Sequence, residues 1–269
     1  MPATPSPRFG SFICTRCRKE KLSFSGSALS CSGCGASFPV RHGIPDLAPE
    51  IVIARSPAQM LMEFPPVVRI YESRLWRRSP FFMLRTGISF DREAALITRA
   101  ARLSDAGSLL DLACGPGIYT RPFARAMKAK PVVGVDLSMP MLRQALRYAS
   151  RQNLDNLCFA RASAFSLPFA DRSFDVVNCC GALHLFGDTP RALTEISRVL
   201  SPGGRFTAAV FRRNGASRLG LSRWMGRASG VESYSPGGLA EMLSKAGIKG
   251  MEVLHAAGLW MIVGAEKEG

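Results

Sequence analysis

The chain has 269 residues, 47% apolar and 20% charged, with 35 Lys plus Arg against 20 Asp plus Glu for a formal net charge of +15. That length buries a core able to fold without covalent staples, and the composition excludes a disulfide scaffold and a disordered chain. No apolar run reaches the ~18 residues of a membrane span and the opening MPATPSPRFGS has no signal-peptide core, so a cytoplasmic protein is expected.

Residues 11–50 are organised by cysteine. Cys14, Cys17, Cys31 and Cys34 read C-x2-C-x13-C-x2-C, in which each pair is a tight knuckle and the pair of pairs closes a tetrahedron around one zinc ion. A disulfide pairing would instead need an oxidising compartment. Between the knuckles, alternating Leu22 and Phe24 followed by Gly26 predict a hairpin, and Phe38-Pro39-Val40 a further strand. With four thiolates present, His42 is expected to be a surface or packing residue. Residues 12–47 are similar to small zinc ribbons found beside or fused to methyltransferases, in which the ribbon is either structural or recruits substrate. So small a unit has little core, and a metal would supply much of its folding free energy.

Residues 51–104 carry Phe64, Val67, Val68, Tyr71, Leu75 and Trp76 near helical spacing, then an amphipathic stretch from Arg92 to Arg102. The expectation is a helical linker, either capping the site or packing on a sheet edge. Arg69, Arg74, Arg77 and Arg78 make it basic.

Residues 105–269 alternate strand and helix patterns. Strands are predicted at 108–113, 131–135, 157–160, 174–180 and 205–211, and helices at 119–128, 139–151 and 189–200. Such alternation implies an α/β fold with a parallel sheet covered on both faces. A last helix at 236–246 is followed by strands near 251–255 and 260–264, close enough in sequence that one should run antiparallel. Arg205 to Arg227 holds six Arg and no acid.

The first strand leads into Asp111-Leu112-Ala113-Cys114-Gly115-Pro116-Gly117-Ile118-Tyr119. Two glycines let the backbone turn and approach a ligand, but the third glycine of a dinucleotide loop is replaced by Thr120, and a carboxylate at the mouth suits an amine better than a pyrophosphate. Asp136, 19 residues after Gly117, ends the next strand where a carboxylate can take both ribose hydroxyls. An amine, a ribose and no phosphate describe S-adenosylmethionine.

On DLACGPGIYT (111–120), VVGVDLSMPML (132–142), LPFADRSFDVV (167–177) and EISRVLSPGGR (195–205), the chain resembles the Rossmann-like, class I S-adenosylmethionine-dependent methyltransferases, with their seven-stranded sheet. The resemblance implies that Asp111, Gly115 and Gly117 hold the methionine end, Asp136 the ribose, and Leu137 and Met141 the adenine. Ala113, Tyr119 and Cys179 complete the cofactor-lining set. Where family members often carry Asp for the adenine amino group this chain has Ser163, which leaves more of the grip to the Ala164 backbone and a stacked Phe165. The product would be S-adenosylhomocysteine.

The order of ribbon, linker and core is similar to ribosomal-RNA guanine-N1 methyltransferases. The Phe64-Pro65, Tyr71-Glu72, Trp76-Arg77 and Gly181-Ala182-Leu183-His184 segments resemble uncharacterised plastid and bacterial methyltransferases, and the core is similar to quinone and other small-molecule methyltransferases. The run after the fourth strand, Asn178 to His184, lacks the Pro-Pro-aromatic signature of exocyclic-amine methylation. Cys179 and Cys180 read as buried strand-end thiols rather than nucleophiles. His184 is the general-base candidate, since a neutral imidazole can take a phenol or enol proton. Phe81, Phe82, Trp224, Tyr234 and Trp260 could wall an apolar pocket, stack a nucleobase or simply pack. The acceptor expected is a small molecule methylated on oxygen or carbon, with RNA as the alternative. RNA would need the ribbon and the Arg205–Arg227 cluster to form one positive surface.

Overall fold

In the computed structural model the described residues are 12–19, 21–48, 60, 64–73, 75–128, 130–213 and 230–269. Arg74, Arg218, Arg223, Trp224 and Arg227 lie outside them. None of the described helices is long and apolar enough to cross a membrane.

The N-terminal module is a four-stranded antiparallel sheet of β1 (Ser23–Ser25), β2 (Ala28–Ser30), β3 (Ser37–Arg41) and β4 (Ile44–Pro45). Gly26 turns β1 into β2 at φ +62°. His42 and Gly43, at φ +55° and +80°, make the two-residue turn between paired Arg41 and Ile44, so exposed His42 is a turn residue.

Among the described residues the helices α1 (Pro65–Ile70), α2 (Pro80–Thr86) and α3 (Phe90–Ala100) follow. Ser79 and Ser89 cap the last two through Phe82 and Arg92 N–H. Helix α3 buries Phe90 and Ile97 against the large sheet. The α2 end is tied to the C-terminal hairpin: Leu259 N–H donates to the Arg85 carbonyl at 2.9 Å, and Phe82 meets Trp260 edge-on at 6.1 Å. Phe81, by contrast, is 68% exposed and walls nothing.

The large sheet holds β5 (Leu109–Leu112), β6 (Val132–Asp136), β7 (Leu157–Arg161), β8 (Phe174–Cys180), β9 (Leu200–Phe211), β10 (Ile248–Ala257) and β11 (Trp260–Lys267). The order is β10-β11-β9-β8-β5-β6-β7, with β11 antiparallel to both neighbours and β9, β8, β5, β6 and β7 parallel. Helices α4 (Thr120–Met127), α5 (Met139–Arg151), α6 (Thr189–Val199) and α7 (Pro236–Lys245) connect them. Three of these begin alike, with Ser138, Asp188 or Ser235 accepting a backbone N–H and a proline in the first turn.

Alternation along the strands sorts the core. Leu109, Val132, Val176, Ala209 and Ile262 face the α3 and α4 side, and Leu110, Val133, Val177, Ala208 and Val263 face the other. The N-terminal module joins the second face through Phe12, Leu29 and Leu47, and Ile44 packs with Leu142 of α5. It also extends the sheet at the β7 edge, where Leu47 N–H donates to the Arg161 carbonyl at 2.7 Å and Ile13 N–H to the Pro168 carbonyl at 2.9 Å. Arg18 completes the junction, donating to Ser166 Oγ at 3.1 Å and pairing with Glu195 at 3.2 Å.

Candidate cofactor and acceptor site

The four thiols of the N-terminal module converge. Their Sγ atoms all lie within 4.8 Å of one another, with Cys14 to Cys34 and Cys17 to Cys31 at 3.6 Å. A tetrahedron with zinc–sulfur bonds of about 2.3 Å has edges of about 3.8 Å, so the donor set fits zinc in number, chemistry and spacing.

At the carboxyl ends of β5 and β6, Ala113, Gly115 and Gly117 adopt φ +53°, +53° and +79°. Ala113 has a Cβ and is held in a region that side chains disfavour, the kind of strain found where a loop is shaped for a ligand. Nothing lies within 4 Å of where a Gly115 Cβ would stand, so the loop is open at its tip.

The loop's donors are turned inward. Cys114 N–H donates to the Val135 carbonyl and Gly117 N–H to the Cys114 carbonyl, both at 3.0 Å, while Gly115 N–H donates to Asp136 Oδ2 at 2.8 Å. Asp136 Oδ1 accepts from Ser138 N–H at 2.8 Å, which fixes the carboxylate. Beneath the loop, Asp111 is 1% exposed and accepts from Thr120 Oγ1 at 2.5 Å and Asn178 Nδ2 at 2.6 Å. Thr207 Oγ1 holds Asn178 Oδ1 at 2.8 Å. Burial pushes the Asp111 carboxyl up to about 6, against the pull of its Thr120 and Asn178 hydrogen bonds. Two carboxylates beside a loop whose Cys114, Gly115 and Gly117 N–H groups are already engaged suit an amine and hydroxyls better than a phosphate.

Leu137 is half-buried and Met141 buried beside Asp136. Ser163 is 3% exposed, and its Oγ accepts from Phe165 N–H at 3.2 Å, closing a local turn. Ala164 and Phe165 are half-buried there. The Phe165 ring lies under the Arg191 guanidinium at 5.2 Å and edge-on to Phe186. Cys179 is fully buried, and burial raises its thiol and that of Cys180 well above the thiol range, which disfavours the thiolate that a nucleophile needs.

Tyr119 turns away from the loop into a second buried cluster. Arg77 Nη2 donates to Glu93 Oε1 at 2.9 Å and to the Tyr119 hydroxyl, and Glu93 Oε1 also accepts from Tyr119 at 2.7 Å and Trp260 Nε1 at 2.9 Å. Arg77, expected within a basic stretch, is 4% exposed. His184, in a 3₁₀ turn after β8, is also 4% exposed, 4.3 Å from the Phe211 ring. Burial and then Arg77 push its imidazole down to about 3, so it stays neutral near neutral pH. Tyr234 is a packing residue, its hydroxyl 2.7 Å from Thr189 Oγ1.

The described arginines of the 205–227 stretch are tied to the protein's own acceptors. Arg205 pairs with Glu266 at 3.1 Å, Arg212 donates to the Ala256 carbonyl at 2.5 Å and Arg213 to the Ser233 carbonyl at 2.9 Å. Arg205 and the N-terminal module are at opposite flanks: β8, β5 and β6 separate β9 from β7.

Sequence reasoning missed Thr120, Asn178 and Thr207 as the support of Asp111, and the Arg77–Glu93 pair. Asn178 and Thr207 had a signal, each a polar residue inside the apolar runs 176–180 and 206–210. The Arg77–Glu93 pair had none, because Glu93 reads as the polar face of an amphipathic helix.

Residues 109–204 match the family described as a methyltransferase domain. An uncharacterized chloroplastic methyltransferase of Arabidopsis thaliana is 32% identical over 200 residues, 71% of this chain and 56% of that one. A demethylmenaquinone methyltransferase of Lactiplantibacillus plantarum is 40% identical over 105 residues, 38% of this chain and 44% of that one. The chain spans about half the length of the curated relatives it matches. Among solved structures, phosphoethanolamine N-methyltransferase 2 of Haemonchus contortus with S-adenosyl-L-methionine matches at TM-score 0.62 and 18% identity, over 76% of this chain and 57% of that one, a likeness of fold.

Proposed function

From a chain whose residues 109–204 match a methyltransferase domain on a Rossmann-like sheet, we propose an S-adenosylmethionine-dependent methyltransferase acting on oxygen or carbon of a small molecule. The carrying observation is the pair Asp111 and Asp136 beside a glycine loop whose Cys114, Gly115 and Gly117 N–H groups are already engaged. S-adenosylmethionine, when bound, supplies a methyl carbon already activated by its sulfonium.

The chain's residues would do the rest. Asp111 offers a desolvated negative charge to the amine, where a cation interacts strongly. Asp136, held by Gly115 and Ser138, is the carboxylate that would accept from two ribose hydroxyls. Leu137 and Met141 line the adenine, with Ser163, Ala164 and Phe165 at its edge, Ala113 and Tyr119 framing the loop, and Cys179 as buried floor. His184 serves as a neutral hydrogen-bonding ring. In the N-terminal module, Cys14, Cys17, Cys31 and Cys34 would hold one structural zinc ion.

A small acceptor is preferred over RNA because Arg205, Arg212 and Arg213 are engaged internally and are separated from the N-terminal module by three strands. The relative named demethylmenaquinone methyltransferase supports the same preference. Calorimetric titration with S-adenosylhomocysteine tests the cofactor reading: Asp136→Ala should weaken binding by about 2–3 kcal/mol, through two lost charge-assisted hydrogen bonds. Unchanged affinity would place the pocket elsewhere.

A further inference from the structure

Among the described residues, two buried side-chain nitrogens have no hydrogen-bond partner: Arg77 Nη1 and His184 Nδ1. They belong to different parts of the chain, one to the helical segment and one to the turn after β8, yet both stand against one indole. Arg77 Cζ is 5.2 Å from the Trp260 ring centroid and the His184 ring is 5.9 Å from it.

The other terminal nitrogen and one face of Arg77 are committed. Nη2 is held by Glu93 and Tyr119, and the Phe82 ring covers the guanidinium at 4.5 Å. The side chain is therefore fixed with one edge left over. Buried polar groups in folded proteins are almost always partnered, and a buried donor left unmade weakens the fold, so such an edge is retained where a ligand completes it. His184 follows β8 and Phe211 ends β9, so this cluster stands at the carboxyl end of the sheet, the same end as the glycine loop after β5.

Resting on the methyl-transfer reading, we propose that Arg77 Nη1 and His184 Nδ1 form the acceptor subsite, binding the acidic oxygen of a planar phenol or enol in its ionised form, with Trp260 and Phe211 as the apolar wall. One guanidinium edge and one ring nitrogen can serve a single oxygen. A carboxylate would take the two-pronged fork of an arginine, and here Glu93 already occupies the other prong. Within the cluster Arg77 already has Glu93 on Nη2, His184 is neutral, and Tyr119 and Cys180 keep their protons. What Nη1 offers a phenolate oxygen is a charge-assisted donor, with no carboxylate on that nitrogen.

4-Nitrophenol is the probe, because its ionised form absorbs separately. With the full chain saturated in S-adenosylhomocysteine, about one pH unit below the phenol's own pKa, the protein should raise the phenolate band. Arg77→Gln and His184→Phe should each weaken that binding about tenfold or more. His184→Phe leaves the Arg77–Glu93 pair intact and keeps the test valid if Arg77→Gln does not fold. Affinity for S-adenosylhomocysteine, measured in parallel, should stay unchanged in every folded variant. A wild-type chain that binds S-adenosylhomocysteine but leaves the phenol protonated, or folded variants that ionise it equally, would overturn the subsite and leave both nitrogens to water. Failure of the wild type to bind S-adenosylhomocysteine would sink the methyl-transfer reading and this subsite with it.

Discussion

Arg161, the last residue of β7, reaches out of the large sheet to Asp46 of the N-terminal module, with Nη1 at 2.9 and 3.2 Å from the two carboxylate oxygens. Its Nε donates at 2.8 Å to the carbonyl of Leu137, next to Asp136. One guanidinium therefore links the four-cysteine module to the strand end that carries the proposed ribose carboxylate.

Arg161→Ala should lower the affinity for S-adenosylhomocysteine severalfold, since the Leu137 carbonyl loses its donor. The stability cost should be about 1 kcal/mol, because the pair is partly solvated. Calorimetry and thermal unfolding on the same variant check both numbers, and Asp46→Asn should reproduce a weaker version.

Cys31→Ser should remove the metal. Elemental analysis should give about one zinc per wild-type chain and little in the variant, with residues 105–212 still folded by circular dichroism. Cofactor affinity should fall as well, because Ile13, Arg18 and Leu47 brace the segment from Arg161 to Pro168. Stoichiometric disulfides among the four thiols would reject the metal site.

Binding of the cofactor should depend on pH through Asp111. Burial raises this carboxyl to about 6, so the folded chain keeps a proton that the unfolded chain has already lost. That group's contribution to stability declines as pH rises through the window between the ordinary carboxylate range and 6. A cationic amine needs the ionised form, so affinity should rise with pH up to about 6 and level off above it. Below that point it should fall about tenfold per unit. Asp111→Asn should be weaker throughout and flat across the same range.

Gly134→Ala should destabilise the chain by about 1–3 kcal/mol through overpacking. A Cβ there would stand 2.6 Å from Phe159 Cδ1 and 3.0 Å from Cys114 Sγ. Cys114 belongs to the glycine loop, so a fall in melting temperature should be accompanied by weaker cofactor binding. Equal melting curves would mean that Phe159 can move aside.

The parallel sheet was legible because its strands are short apolar runs between glycine turns and capped helices, and the antiparallel C-terminal strand followed from its close spacing. The knuckles were legible from Cys14 to Cys34 alone. The ends of β10 and β11 were not, because Lys249 and Lys267 are polar residues on strands that run past the apolar core. Asp111, Asp136 and the loop were readable as chemistry, yet the state of Asp111 depends on Thr120, Asn178 and Thr207, which only the folded sheet assembles. Arg77 reads in the sequence only as part of a basic stretch, since its partner Glu93 sits 16 residues away with nothing local to link them.

The junction at the β7 edge also bears on how the chain folds. Arg18 meets Ser166 across 148 residues and Glu195 across 177, and Asp46 meets Arg161 across 115. During synthesis from the N-terminus the module exists long before its landing surface, because Arg161 to Phe169 and α6 are made last of all these parts. Until then Phe12 and Leu47, which end up fully buried, have no sheet to cover them. Contacts this distant close late and set a slow rate. A module that is to hold its own shape while it waits needs a cross-link, and a metal ion on the four converging thiols would supply it to so few residues.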